Sequence, residues 1–292
     1  MPLHRSFLFS GVATARITPF SEGKIDYHAL GNLIDWQIDR GVDALLLAGT
    51  TGEASTLTTQ EHYDLISFAA KKINGKVPLL AGCGSNNTAH AIALGRNACD
   101  AGADALLAVT PYYNKTTDRG IILHYQALAD SVCKPLILYN VPSRTGFSMN
   151  LSHYKELAKH PNIWGIKEAS GNLSLLEVIT EECNEQVAVY TGNDDQMLSA
   201  LKLGAQGCIS VLSNLLPKET KEVYTAFVEG DAKKAYRLQR SLLPKISALF
   251  CEVNPVPVKY AASLLGLCRA ELRLPLCEPS EESKKRIEKE FL

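Results

Sequence analysis

The sequence predicts an α/β protein of the (β/α)8 barrel class, with a helical segment appended at its C-terminal end. Three observations predict it. Eight short apolar runs recur along the 292 residues. Amphipathic stretches with helix start and stop signals separate them. An open doubly wound sheet, the nearest alternative, needs a glycine-rich phosphate loop after its first strand, and here the first run leads only into Ser21-Glu22-Gly23.

The runs are Gly11–Pro19, Val42–Thr50, Val77–Gly84, Ala103–Pro111, Pro135–Pro142, Ile163–Ala169, Val187–Gly192 and Ala205–Leu212. Each is apolar without strict alternation, as expected of strands covered on both faces. Between them, Tyr27–Arg40 sets Leu30, Leu33, Ile34 and Ile38 on one helical stripe, and Gly41 follows as a stop. Thr58 and Glu61 have the spacing of a capping box. Thr88–Ala101 ends at Gly102, and Asp195–Leu203, with Asp195 suited to cap it, ends at Gly204. From about Leu216 onward the strand signal stops. The chain therefore divides into a catalytic barrel, residues 1–215, and a C-terminal helical segment, residues 216–292, packed on it. That segment closes on Glu281-Glu282-Ser283-Lys284-Lys285-Arg286, the mixed-sign pattern of a solvated helix face.

Composition narrows the function. Hydrophobic residues make up 46% and charged ones 21%, the balance of a globular enzyme. The 30 basic residues against 31 acidic ones, a net charge of -1, leave no basic excess for a phosphate backbone, so no nucleic-acid partner is expected. No apolar run approaches the roughly 20 residues of a membrane helix, and Met1–Gly11, despite His4 and Arg5, is too short in apolar residues for a secretory leader. A cytoplasmic protein is expected. The 8 cysteines are scattered, without a C-x-x-C pair or a histidine at metal-ligand spacing, which sets aside a disulfide framework and a zinc site.

Barrels of this class gather their chemistry at the carboxyl ends of the strands. Those ends carry Thr50, Thr51 and Glu53; Tyr112 and Tyr113; Tyr139, Asn140 and Arg144; Lys167 and Glu168; Gly192, Asn193 and Asp194; Ile209 and Ser210. Lys167 is the most informative. With Ile166 facing the helices, a period of two points Lys167 into the barrel, where desolvation favours a neutral amine able to attack a keto carbon. A lysine salt-bridged at the rim is the plainer alternative. Tyr139 ends the fifth barrel strand and could shuttle protons beside such an amine, or be a buried tyrosine with a satisfied hydroxyl. Arg144 suits a substrate carboxylate, or is a surface arginine. Thr50 and Thr51 offer hydroxyls for a carboxylate and a proton relay, or ordinary turn chemistry. Asp194-Asp195 raises a metal site, but no histidine or second acidic cluster joins the pair.

Four motifs then stand in order: Gly49-Thr50-Thr51-Gly52-Glu53, Val109-Thr110-Pro111-Tyr112-Tyr113-Asn114, Tyr139-Asn140-Val141-Pro142-Ser143-Arg144-Thr145-Gly146 and Gly165-Ile166-Lys167-Glu168-Ala169-Ser170-Gly171-Asn172. They resemble the dihydrodipicolinate synthase family of pyruvate-dependent class I aldolases, which includes N-acetylneuraminate lyase, and the likeness continues through Asn254-Pro255-Val256-Pro257-Val258-Lys259-Tyr260. The resemblance implies that Lys167 forms a Schiff base with pyruvate, and that Tyr139, Thr50 and Tyr113 form a proton relay, with Tyr113 reaching into a neighbouring subunit's site. It implies that Thr51 and the backbone around Gly192 and Ile209 hold pyruvate, and that Arg144 binds the carboxylate of L-aspartate 4-semialdehyde. The product that the resemblance implies is 4-hydroxy-tetrahydrodipicolinate, at the first committed step towards diaminopimelate and lysine. No cofactor and no metal are implied, since the lysine is the electron sink, and the family commonly forms homotetramers as paired dimers.

Many bacterial members are inhibited by lysine, at residues that map to Ala54, Ser55, Thr59, His62, Asn86, His90 and Tyr112. Ser55, His62, Asn86 and Tyr112 suit that role. Thr59 stands where the family often has histidine, and His90 where it often has glutamate. A histidine does not pair with an ammonium as a carboxylate does, so feedback by lysine is expected to be weak or absent. Two rivals remain. A sister aldolase, such as N-acetylneuraminate lyase or a keto-deoxy-sugar-acid aldolase, would share Lys167 and Tyr139, yet a polyol has no use for the Arg144 guanidinium. A barrel that binds an oxo-acid without turnover would gain little from a reactive amine.

Overall fold

The computed structural model describes residues 8–292. His4 and Arg5, read above for a leader, and the first residues of the 1–215 segment lie outside the described residues. Eight parallel strands close into a barrel: β1 (Gly11–Ala15), β4 (Ala44–Leu47), β5 (Leu79–Gly82), β6 (Ala105–Val109), β7 (Leu136–Asn140), β8 (Ile163–Glu168), β9 (Ala188–Thr191) and β10 (Gly207–Ser210). Neighbours pair in sequence order, and β1 joins both β4 and β10 to complete the circle. The chain is thus a (β/α)8 barrel with C-terminal helices. A small antiparallel hairpin, β2 (Phe20–Ser21) and β3 (Lys24–Ile25), follows β1 and turns through Glu22 and Gly23, both at positive φ.

The alternation along each strand explains the continuous apolar runs. Ala44 and Leu46 point into the barrel, with Ala13, Ala15, Leu80, Ala105, Leu107, Ile137, Ala188, Tyr190 and Ile209. Leu45, Leu47, Leu106, Leu138, Ile166 and Val189 point out, against the helices. Both faces are dry, so both carry apolar side chains. Phe9 stacks on Tyr190 with ring centroids 4.3 Å apart, and the Tyr190 hydroxyl donates to the Phe9 carbonyl. The pair plugs the end of the barrel opposite the strands' carboxyl ends.

The outer layer comprises α1 (Tyr27–Asp39), α2 (Thr59–Ile73), α3 (Thr88–Asp100), α4 (Asp118–Ser131), the short α5 (Pro142–Thr145), α6 (Leu151–Leu157), α7 (Leu173–Cys183), α8 (Met197–Lys202) and α9 (Pro217–Val228). Thr58 and Glu61 form the capping box that their spacing predicts. Asp195 does not cap: a 3-10 turn, Asp194–Gln196, delays α8 until Met197, and no side chain caps it. The reason lies in Asp194, whose carboxylate is held by backbone amides across the barrel seam and fixes the chain before the helix begins.

α9 packs on β1 and α8, covering the seam after the last strand. α10 (Ala232–Leu249), α11 (Val256–Leu264) and α12 (Glu281–Phe291) pack on one another. This segment returns to the mouth of the barrel through buried polar contacts. Lys259 of α11 donates to Glu53 at 2.5 Å, with both side chains fully buried. Arg273 makes a two-pronged pair with Glu61 at 2.6 and 2.9 Å, which draws the Glu61 carboxyl down to about 2. Arg16, at the end of β1, is buried and donates to Asn214, whose side chain also bonds the Ala15 carbonyl and the Ile17 amide. Burial pushes the Arg16 guanidinium down to about 10. All eight cysteines are free.

Candidate active site

The register of β7 against β8 sets Tyr139 directly beside Lys167 at the carboxyl end of the barrel. Both are buried, at 7% and 6% exposure. The Lys167 Nζ stands 4.3 Å from the centroid of the Tyr139 ring, a cation–π distance. Among the described residues no carboxylate lies within 4.0 Å of that nitrogen, so Lys167 is not the rim salt bridge of the plainer reading. The amine faces a cavity of about 220 Å³. Thr50, Thr51, Tyr139, Arg144, Gly192 and Asn254 are among the residues lining it.

Each strand end contributes through local chemistry. Glu168, next to Lys167 but on the opposite face, accepts from the Tyr154 hydroxyl at 2.7 Å, from Asn140 Nδ2 and from the Ser170 amide. This network pins the ends of β7 and β8 from behind, and burial beside a carboxylate raises the Tyr154 phenol well above its ordinary value. After β4, Glu53 takes a left-handed φ of 55° and, clamped by Lys259 and the Arg273 amide, fixes the turn that presents Thr50 and Thr51. Thr51 Oγ1 accepts from Asn254 Nδ2 at 3.0 Å, and Arg144 Nη2 donates to the Asn254 carbonyl at 3.0 Å. Asn254 therefore bridges two residues expected at the site. It stands in the Asn254–Tyr260 motif, but nothing in its spacing marked it as a cavity residue.

Gly192 follows β9, and a Cβ there would come within 2.7 Å of Lys167 Cε. The space belongs to the lysine. Ile209 is buried in the barrel interior in one cluster with Tyr139 and Leu46, and Val211, two residues on, lines the cavity. Tyr113 is 91% exposed at positive φ on the loop after β6 and does not line this cavity.

A larger adjoining cavity of about 450 Å³ shares Thr50, Tyr139 and Arg144 with the first. Its wall includes Ser55, Thr59, His62, His90 and Tyr112, and no carboxylate. Asn86 is not in that wall; its carbonyl accepts from Asn114 Nδ2. His62 donates through Nε2 to the Gly82 carbonyl at 2.7 Å, and burial lowers its pKa. Among the described residues no group of three or more His, Cys, Asp or Glu side chains is placed to hold a metal ion. Asp194 is turned instead to the Val211 and Leu212 amides.

An eight-stranded parallel barrel that presents a buried lysine, a phenol against it and an arginine at the cavity mouth defines a barrel lyase of the class I aldolase kind. The comparisons with known proteins then specify which. The chain belongs to the dihydrodipicolinate synthetase family, whose sequence model matches residues 8–291. It is 46% identical over 277 residues to the 4-hydroxy-tetrahydrodipicolinate synthase of a Thermoanaerobacter species, covering 94% of this chain and 93% of that one. It superposes on the crystal structure of dihydrodipicolinate synthase from Aquifex aeolicus with a TM-score of 0.94 and 42% identity, over 96% of each chain. The enzyme from Cyanidioschyzon merolae, whose crystal structure has lysine bound, matches at a TM-score of 0.95 and 36% identity over 98% of each chain.

Proposed function

We propose that Lys167 is the imine-forming lysine of this enzyme, served by Tyr139, Thr50 and Tyr113 as proton carriers and by Arg144 as the anchor for the second substrate. The reaction is the condensation of pyruvate with L-aspartate 4-semialdehyde to 4-hydroxy-tetrahydrodipicolinate, the first step towards diaminopimelate and lysine. The single observation that carries the residue assignment is the buried Lys167 amine against the Tyr139 ring, at a cavity whose mouth holds Arg144.

The steps follow from these groups. The Lys167 amine adds to the keto carbon of pyruvate, and loss of one water gives the protonated imine. That cation draws electrons from the adjacent methyl, which gives up a proton to form an enamine. The enamine carbon bonds the aldehyde carbon, whose oxygen takes up a proton to become the 4-hydroxyl. The substrate's own amine then attacks the imine carbon, closes the ring and expels the Lys167 amine. Tyr139, whose ring lies against the amine, suits proton transfer in the first and last steps. Thr51 and the backbone at Gly192 suit the pyruvate carboxylate, and Arg144 suits the carboxylate of the aldehyde. The backbone around Ile209, which runs on to the cavity-lining Val211, is proposed to help hold pyruvate.

The subunits are proposed to pair so that Tyr113, exposed here, completes a partner's relay, and the pairs to form a homotetramer. A cytoplasmic location fits the free cysteines, and among the described residues no helix is long and apolar enough to cross a membrane. A sister aldolase acting on a sugar acid is disfavoured by Arg144, because a polyol leaves its guanidinium unpaired. Supplying pyruvate with L-aspartate 4-semialdehyde, or with a polyhydroxylated aldehyde, and following ring formation optically tests the assignment. Ring formation from the semialdehyde, abolished in Lys167→Ala, is expected; activity persisting in that variant contradicts it.

A further inference from the structure

Three buried carboxylates surround the carboxyl end of the barrel, and two are spoken for. Glu53 is paired with Lys259. Glu168 is taken up by Tyr154, Asn140 and the Ser170 amide. Asp194 differs. It is 3% exposed, and its Oδ2 accepts from the Val211 amide at 2.9 Å and the Leu212 amide at 3.0 Å. Gln239 Nε2 of α10 donates to its backbone carbonyl. Among the described residues no lysine or arginine nitrogen lies within 4.0 Å of its carboxylate.

The position of this anion is informative. It stands two residues beyond Gly192, against whose backbone the Lys167 side chain lies. Burial pushes the Asp194 carboxyl up, while the Ser210 hydroxyl, the Leu212 and Val211 amides and the Lys167 cation favour its ionised form. Other charged or titratable groups facing this region are Tyr139 from β7, Tyr190 from β9, Cys208 from β10, Asp195 on the same turn and Arg144 across the cavity. Helix α10 contributes only the neutral Gln239. The amides that hold Asp194 belong to Val211, a cavity wall, and its neighbour.

We infer that Asp194 is a positioning residue for the Lys167 reaction: its fixed negative charge favours the cationic imine, and its hydrogen bonds hold the Val211 wall of the pyruvate cavity. This rests on the imine-forming reading of Lys167. Imine formation leaves a buried cation on the lysine nitrogen, and a preorganised anion outside contact distance stabilises that cation without capping the attacking amine. Held by amides and not by a cation, the Asp194 charge is free to act on the imine.

The test compares the wild type with Asp194→Asn, Asp194→Glu and Ser210→Ala. Each is incubated with pyruvate across a pH series and quenched with borohydride, and the Lys167 adduct is quantified by mass spectrometry beside a melting curve. In folded Asp194→Asn the adduct is expected to fall roughly tenfold, and its acid limb to move down by about one pH unit, since loss of the anion favours the uncharged amine. Asp194→Glu is expected to keep the wild-type profile. Ser210→Ala, which withdraws the hydroxyl that favours the ionised carboxylate, is expected to move it in the direction of Asp194→Asn by less. An Asp194→Asn profile identical to the wild type, or equal impairment in Asn and Glu variants, overturns the inference. Should Asp194→Asn not fold, an unmoved profile in Ser210→Ala overturns it. Failure of the underlying reading is distinct: the wild type would then carry no adduct on Lys167 at any pH.

Discussion

A Cβ atom at position 192 would stand 2.7 Å from Lys167 Cε, so the missing side chain of Gly192 is the space through which the lysine reaches the cavity. Real Cβ atoms do not approach carbon that closely, and the opposing Ala169 Cβ, also at 2.7 Å, blocks retreat. Gly192→Ala is therefore expected to displace the amine. A displacement on the order of 1 Å costs roughly 10²-fold. Steady-state kinetics should show kcat/KM falling by about that factor while far-UV circular dichroism stays unchanged. Wild-type kinetics in the folded variant would remove Gly192 from the site.

Arg144 is expected to separate the two substrates. Among the described residues its hydrogen-bond partner is the Asn254 carbonyl, so the rest of its fork remains available to a carboxylate at the mouth. Arg144→Met should leave pyruvate adduct formation intact but lower kcat/KM for L-aspartate 4-semialdehyde by about 10²-fold, the worth of a charge-assisted pair at roughly 1.4 kcal/mol per tenfold. Equal loss of both half-reactions would assign Arg144 to the fold instead.

The Glu53–Lys259 pair joins the turn carrying Thr50 and Thr51 to α11, with neither side chain exposed. Burial lowers the Lys259 pKa, opposed by the Glu53 charge. Removing one partner strands the other charge, so Lys259→Met is expected to cost about 3–5 kcal/mol in urea denaturation. The double variant Glu53→Gln with Lys259→Met should cost less than the sum of the single ones. Strict additivity would mean that the two charges do not act on each other.

Arg273 holds the Glu61 carboxyl down to about 2, chiefly through their side-chain hydrogen bonds. A carboxyl depressed in the folded state contributes stability that is complete above its unfolded pKa of about 4.3 and is lost as the pH falls through the folded value. Arg273→Met should therefore lower stability by about 1 kcal/mol at pH 7, a figure reduced for solvent screening, and by progressively less between about pH 4.5 and 2. Melting curves over that range read the difference; a gap constant with pH would locate the effect in packing.

Lysine is expected to inhibit weakly or not at all. The cavity bearing Ser55, His62, His90 and Tyr112 offers an ammonium group no carboxylate. Installing one by His90→Glu should introduce or strengthen inhibition in an assay titrated with lysine. Full inhibition of the wild type at low lysine concentration would contradict this reading.

Much of the fold was legible because its physical causes are local. Runs apolar on both faces could only be covered strands, and Gly41, Gly102 and Gly204 mark helix ends by their positive φ. Lys167 and Tyr139 were legible because period two fixes which way a strand residue points. What escaped depended on distant pairings. Nothing near Glu53 in the sequence announces Lys259, 206 residues on, and nothing at Thr51 announces Asn254. Asp195 looked like a cap because a helix's first turn cannot be told from a preceding 3-10 turn without knowing that Asp194 is held by the Val211 and Leu212 amides. Val211 escaped because it lies beyond the strand end, and only the fold shows that the chain just after Ile209 lines the cavity.

The most direct measurement is to incubate the protein with pyruvate, reduce with borohydride and map the modified residue by peptide mass spectrometry. Lys167 alone is expected to carry the reduced pyruvyl group, and Lys167→Ala none. Modification of another lysine, or of none, would contradict the assignment of the chemistry to the amine beside Tyr139.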